Sequence, residues 1–134
     1  MDEKEVYIKT AKAYNSLNLA EIEPLFSENI IYESQGTTIN GKVAVAADLK
    51  AKFESLKQAG RRIYAELAIL PPKNQIAAGP ETTVNPCLIL SQGVQVNRVA
   101  VIILSSNEGV IEKIDVRTSS PHWTQAQGSG IFPA

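Results

Sequence analysis

Few side chains in this sequence can do chemistry, and their types limit what is open to it. His122 is the single histidine and Cys87 the single cysteine. One of each cannot build a classical zinc site, so no metal centre is expected. His122 is the one side chain whose unperturbed titration falls near neutral pH. It stands beside Trp123, where it could close over a pocket as an acid or base or lie exposed in a tail. Cys87 follows Pro86 with no evident base beside it, which favours a small buried hydrophobe over a nucleophile. Tyr14 and Tyr32 sit among apolar residues. A buried tyrosine needs a partner for its hydroxyl, so these two could be core residues or donors to a ligand. Ser34 could bond a ligand or satisfy a strand end. Arg98, Asp115 and Arg117 could form an acid–cation set or pair on a surface.

These side chains are positioned by a hairpin. Val94 to Leu104 is rich in β-branched residues, and Val99 to Leu104 is uninterrupted apolar sequence. Ser105 to Gly109 is a polar stretch suited to a loop of three to five residues. Val110 to Arg117 alternates, with Ile114 and Val116 apolar and Lys113, Asp115 and Arg117 charged. A strand apolar on both faces must be covered on both faces, so this hairpin is placed at the centre of a curved sheet.

The rest of the chain supplies the cover. Val6, Thr10, Ala13, Tyr14 and Leu17 predict a helix over 3–17. Asn18 and Glu21 resemble a capping box before a second helix with Leu19, Ile22, Leu25 and Phe26 inward, which Pro24 should kink or shorten. Ile30–Ser34 and Thr37–Ile39 read as short strands. Asn40 caps a third helix over 41–59, striped by Val45, Leu49, Phe53 and Leu56 and stopped by Gly60. Arg61–Leu70 alternates as a strand, 71–86 is a proline-rich loop, and 87–91 is another strand. Residues 118–134 have no period; they are a tail, either mobile or laid over the body through Trp123, Ile131 and Phe132. Helices followed by an antiparallel meander make an α+β domain, with three helices closing the concave face of the sheet into a cone.

Composition excludes several classes. At 134 residues, with 44% hydrophobic and 20% charged, the chain is one globular domain. Thirteen basic and fourteen acidic residues leave a net charge of -1, which argues against nucleic acid or anionic membrane as partner. Lys42, Lys50, Lys52 and Lys57 cluster on one helix, but Asp48 and Glu54 interleave with them, so a solvated face is the reading. No run is long and apolar enough to span a membrane, and the N-terminus lacks the pattern of a secretory signal. A cytoplasmic protein is expected.

The segments AYNSLNLAEIEPLFSENIIYES and GTTINGKVAVAADLKAKFESL, with the terminal hairpin, resemble the nuclear transport factor 2-like superfamily, which includes SnoaL-like cyclases and ketosteroid isomerases. The resemblance covers residues 3–118. It implies a domain over 1–118, a tail over 119–134, and a cystatin-like roll with three N-terminal helices on the concave face of a curved, mostly antiparallel sheet. In the isomerases a base Asp, a helical Tyr and a protonated Asp do the chemistry. Laid on this chain those positions hold Ser34, Thr10 and Ala100, so the resemblance does not extend to that proton shuttle. The epoxide hydrolases of the superfamily use an Asp-Arg-Asp set. Strand parity places Asp115 and Arg117 on the outer face, away from the helices, unless a bulge reverses it.

The same parity gives the pocket candidates. They are Tyr14 and Leu17, Tyr32 and Ser34, Leu49 and Phe53, Arg98 and Ile102 with Ala100, and Ile114, Val116 and Thr118. Leu17, Leu49, Phe53, Ile102 and Ile114 could equally be plain core, and Arg98 could lie on the sheet surface. Three functions are compatible: a binder of a small apolar metabolite, a SnoaL-like isomerase, cyclase or hydrolase needing no cofactor, or an interaction module. Val99, Val101 and Ile103 would then form an apolar outer face, which predicts a homodimer through that face.

Overall fold

Asp2 opens the first helix by accepting a hydrogen bond from the Glu5 amide at 2.8 Å. The computed structural model describes residues 2–70, 85–93, 97–118 and 125–134. Helix α1 (Glu3–Ser16) ends where Leu17 turns left-handed at φ 52° and the Asn18 amide returns to the Ala13 carbonyl at 3.0 Å. It buries Val6, Tyr7, Thr10, Ala11, Ala13 and Tyr14. Tyr7 was outside the stripe that spacing predicts.

The second helical segment is two 3₁₀ turns, Leu19–Glu21 and Glu23–Leu25. Asn18 caps the first, accepting from the Ala20 amide at 3.0 Å. Pro24 has no amide to continue an α-helical ladder, so the chain extends at Phe26. Strand β1 therefore runs over Phe26–Ser34, starting before the expected Ile30. Strand β2 (Thr37–Asn40) follows, then α2 (Lys42–Gln58), whose N-cap is Gly41 at φ 95° rather than Asn40. Val45, Ala46, Leu49 and Phe53 are the buried stripe of α2.

The remaining strands are β3 (Ile63–Leu70), β4 (Asn85–Gln92), β5 (Arg98–Asn107), β6 (Val110–Arg117) and β7 (Gln127–Gly128). They form one sheet in the order β2-β1-β6-β5-β4-β3-β7. The β5–β6 hairpin lies at its centre, as its two-sided apolarity predicts. Its loop is tighter than expected. Asn107 pairs with Val110, and Glu108 and Gly109 turn the chain with φ 53° and 83°. Two positive φ values match the right-handed twist of the strands. The β1–β6 pair is parallel and the others are antiparallel. The molecule is α+β, with its three helical segments packed against a curved seven-stranded sheet.

The sheet has two apolar faces. Ala100, Ile102, Leu104, Ile111 and Ile114 join the helices in the main core. Val101, Ile89, Cys87, Ala68 and Ala126 form a second cluster on the other face. Val101 and Ile89 are 0% exposed within the single chain. Part of that cover is the C-terminal segment. β7 pairs with β3 at Ala68↔Gly128 and Ile69↔Gln127. Beyond it the Leu67 amide donates to the Ile131 carbonyl and the Ser129 amide to the Leu67 carbonyl, both at 3.0 Å. The Gly130 amide donates to the Glu66 carboxylate at 2.7 Å. A side chain at Gly128 would run into that carboxylate. Asn15 of α1 bonds both backbone groups of Ala65 and also the Pro133 carbonyl. Residues 125–134 are thus laid over the body, with Phe132 edge-on to Tyr64 at 6.4 Å and Ile131 half exposed. Of the loop expected over 71–86, Asn85 and Pro86 instead open β4, and the rest lies outside the described residues, as do the hairpin start at 94–96 and His122 and Trp123.

Candidate functional site

Between α2 and the inner face of the sheet lies an open cleft of about 490 Å³. Its apolar wall is Leu49, Phe53 and Leu56 of α2, Ile63, Leu90, Val99 and Val116 of the sheet, and the rings of Tyr14 and Tyr32. Helical spacing puts Asp48 and Lys52 one turn apart at its rim. Tyr14 is fixed by α1 and by an edge contact with Phe53, ring centroids 5.2 Å apart.

The polar groups fall in two sets. The Lys52 Nζ lies 2.9 Å from the Asp48 Oδ2. That contact is an ion pair off the ideal hydrogen-bond direction. The same Nζ donates to the Tyr32 hydroxyl at 3.2 Å and stands 4.6 Å from the centroid of the Tyr32 ring. Burial acts to lower the pKa of Lys52, but the bonds to Asp48 and Tyr32 outweigh it and the ammonium is held above its usual range. Tyr14 stands apart. It is 4% exposed and lines the cleft, and none of the described residues hydrogen-bonds its hydroxyl. Burial first, then the nearby Tyr32 and Asp48, push its pKa well above the usual phenol value. Tyr14 is therefore a neutral donor at physiological pH.

Five of the residues expected in a pocket meet in this cleft: Tyr14, Tyr32, Leu49, Phe53 and Val116. Ile102 and Ile114 are fully buried core beneath it. Leu17 lines a separate polar depression of about 400 Å³ with Lys50, Glu54 and Lys57. Ser34 is half buried at the end of β1, opposite Val116, and Thr118 is half buried past the end of β6. Neither lines the cleft.

Arg98 is a correction. Strict alternation from Ile102 and Ala100 points it inward. The β4–β5 register instead steps from Leu90↔Ala100 to Ser91↔Arg98, so Val99 is a bulge. The extra residue reverses parity. Val99, expected outside, lines the cleft, while Arg98 donates to the Ala126 carbonyl at 2.9 Å on the outer face. Asp115 and Arg117 keep the outward parity expected of them and pair at 3.1 Å, beside a Lys113–Glu33 pair at 3.4 Å. Asp48 and Lys52 are the site residues that sequence reasoning missed by assigning that helix face to solvent. Their spacing relative to Leu49 and Phe53, one position before each, was the available signal.

No family model matches the chain, and no curated protein matches it. Solved structures do. An NTF2-like protein of unknown function from Mesorhizobium loti superposes with TM-score 0.62 at 13% identity, covering 87% of this chain and 90% of that one. The chain has the NTF2-like fold. A cystatin-like protein of unknown function from Xanthomonas campestris matches with TM-score 0.57 at 18% identity, over 93% and 95% of the two chains. An LEH-like epoxide hydrolase of M. tuberculosis matches with TM-score 0.57 at 13% identity, over 90% and 84%. At these identities the likeness is one of fold, and a fold of this kind hosts unrelated functions. No helix among the described residues is long and apolar enough to cross a membrane.

Proposed function

We propose that the protein binds a small, largely apolar molecule in the cleft between α2 and the sheet. The observation that carries this reading is the Tyr14 hydroxyl. It stands in an apolar wall, faces the open cleft, and has no bond from any described residue. A hydroxyl that opens on a cleft with no protein partner is a donor ready for a bound oxygen acceptor, and such a bond contributes about 0.5–1.5 kcal/mol. The cleft volume of about 490 Å³ falls in the range of small-molecule sites. The neutral dye N-phenylnaphthylamine, which fluoresces when desolvated, tests the reading. Saturable one-to-one binding is expected, and Val99→Trp, which fills the mouth from a partly exposed position, should abolish it without lowering the melting temperature. A dye that binds equally well to that variant would sink the proposal.

The cofactor-independent enzyme remains the second reading. The placement of Asp48 and Tyr14 in one cleft favours it, because a carboxylate and a neutral phenol are a base and a donor. The named activity of the epoxide hydrolase neighbour belongs to the same class of chemistry. Turnover of a small apolar epoxide or an enolisable ketone, lost in Asp48→Asn, would support it; binding of either without turnover would leave the binder. A homodimer through the outer sheet face is also proposed, to be tested by sedimentation. The burial of Val101 within one chain means that such a dimer would rest on the charged half of that face.

A further inference from the structure

Resting on the cleft as a ligand site, we infer that it selects uncharged ligands and that Asp48 sets this selectivity by neutralising Lys52. Two independent features point the same way. Among the described residues, Asp48 and Lys52 are the charged side chains that line the cleft, and they stand 2.9 Å apart. One turn of helix separates them, so the backbone holds the pair together. Lys52 also gives a bond to Tyr32. A ligand anion reaching the ammonium would lie against the carboxylate already paired with it, so the attraction of one is offset by the repulsion of the other. The second feature is the bulge. Plain alternation would put the Arg98 guanidinium into the cleft. The extra residue at Val99 turns it to the outer face, where it holds the Ala126 carbonyl, and puts an isopropyl group in the wall instead.

What remains for recognition is neutral. Tyr14, Tyr32, Ser55 and Gln92 offer hydroxyl and amide groups around an apolar interior. The ligand class this fits is an apolar body with one or two hydroxyl or carbonyl oxygens and no carboxylate, sulfate or phosphate.

A matched pair of dyes tests this on the full chain. N-phenylnaphthylamine is neutral, and anilinonaphthalene sulfonate carries the same rings with an added anion. Only sulfonate that the neutral dye displaces is counted, which removes binding elsewhere on the surface. The wild type should take the neutral dye at least about tenfold more tightly, the scale of one uncompensated charge near a protein surface. Asp48→Asn keeps the side-chain shape and frees the ammonium. It should raise sulfonate affinity about tenfold relative to that of the neutral dye. Lys52→Met, which has no cation to free, should leave the sulfonate weak and serves as the second variant. Equal affinities for the two dyes in the wild type, or a parallel change in both on Asp48→Asn, would overturn the inference alone. If the neutral dye fails to saturate, or binds Val99→Trp unchanged, the cleft reading fails and the selectivity falls with it.

Discussion

Tyr7 and Tyr14 lie two turns apart on α1, both almost fully buried, and their hydroxyls meet opposite fates. The Tyr7 hydroxyl accepts from the Leu104 amide at 2.8 Å and donates to the Leu104 carbonyl at 3.3 Å. The reason lies in β4. Its pairing with β5 runs as far as Leu88↔Ile102, and two residues on it would set Pro86 opposite Leu104. Proline has no amide to give, so the tyrosine completes the ladder. The Tyr14 hydroxyl has no such duty and opens on the cleft. One end of the helix is closed by its own chain, and the other is left open to something else. The C-terminal segment follows the same division. It seals the outer face and the β3 edge with backbone bonds, while the mouth between α2 and the sheet is left uncovered by any described residue.

If this division is real, damage to the closed region should cost stability and leave dye binding intact. Gly128→Val is the strongest case. Its side chain would meet the Glu66 carboxylate and push β7 off the edge of β3. The carboxylate can give way only by leaving the Gly130 amide, so a loss of about 2–3 kcal/mol, the upper range for a hydrogen bond to a charged group, is expected in urea unfolding. A variant as stable as the wild type would mean that the segment covers nothing. Tyr7→Phe comes next, at about 2 kcal/mol, because it strands two buried backbone groups of Leu104.

Alkaline titration probes the same bonds without mutation. Burial, outweighing the Leu104 bond, pushes Tyr7 up to about 12, and burial pushes the Cys87 thiol up to about 12. Both raised values favour the neutral form in the folded state. Their contribution is therefore complete below the unfolded values, near 10.0 and 9.0, and is lost as pH rises through about 12. Stability measured by urea midpoint should fall over that window, and the fall should shrink in Tyr7→Phe. An equal fall in both proteins would assign it to other groups.

The fold was legible because it rests on patterns that repeat. The apolar run from Val99 to Leu104 marked the sheet centre, and the stripe of Val45, Leu49 and Phe53 marked the long helix. What escaped was single-residue detail. Pro24 turned a helix into two short 3₁₀ turns, and one extra residue at Val99 exchanged the faces of Val99 and Arg98. A bulge leaves no compositional mark, because valine suits either face. Lys52 looked like solvent-face charge because Asp48, one turn back, suits a solvated pair equally well, and Tyr32, twenty residues away, meets it only in three dimensions. Tyr7 was missed for a related reason: its value depends on Pro86, far along the chain.

Tyr14→Phe is the smallest effect and the sharpest test of the comparison. The two substitutions remove the same atom from the same residue type on the same helix. At Tyr7 the atom completes a ladder; at Tyr14 it meets no described donor or acceptor and lies in an apolar wall. The open cleft lets water serve that hydroxyl, so its removal strands no protein group and stability should change by less than about 0.5 kcal/mol. Neutral-dye binding should also persist, since N-phenylnaphthylamine offers that hydroxyl no oxygen. A ligand with a carbonyl should instead weaken, by roughly the 0.5–1.5 kcal/mol of one hydrogen bond. A loss of stability as large as that of Tyr7→Phe would show the hydroxyl to be structural and the two ends of α1 to be alike.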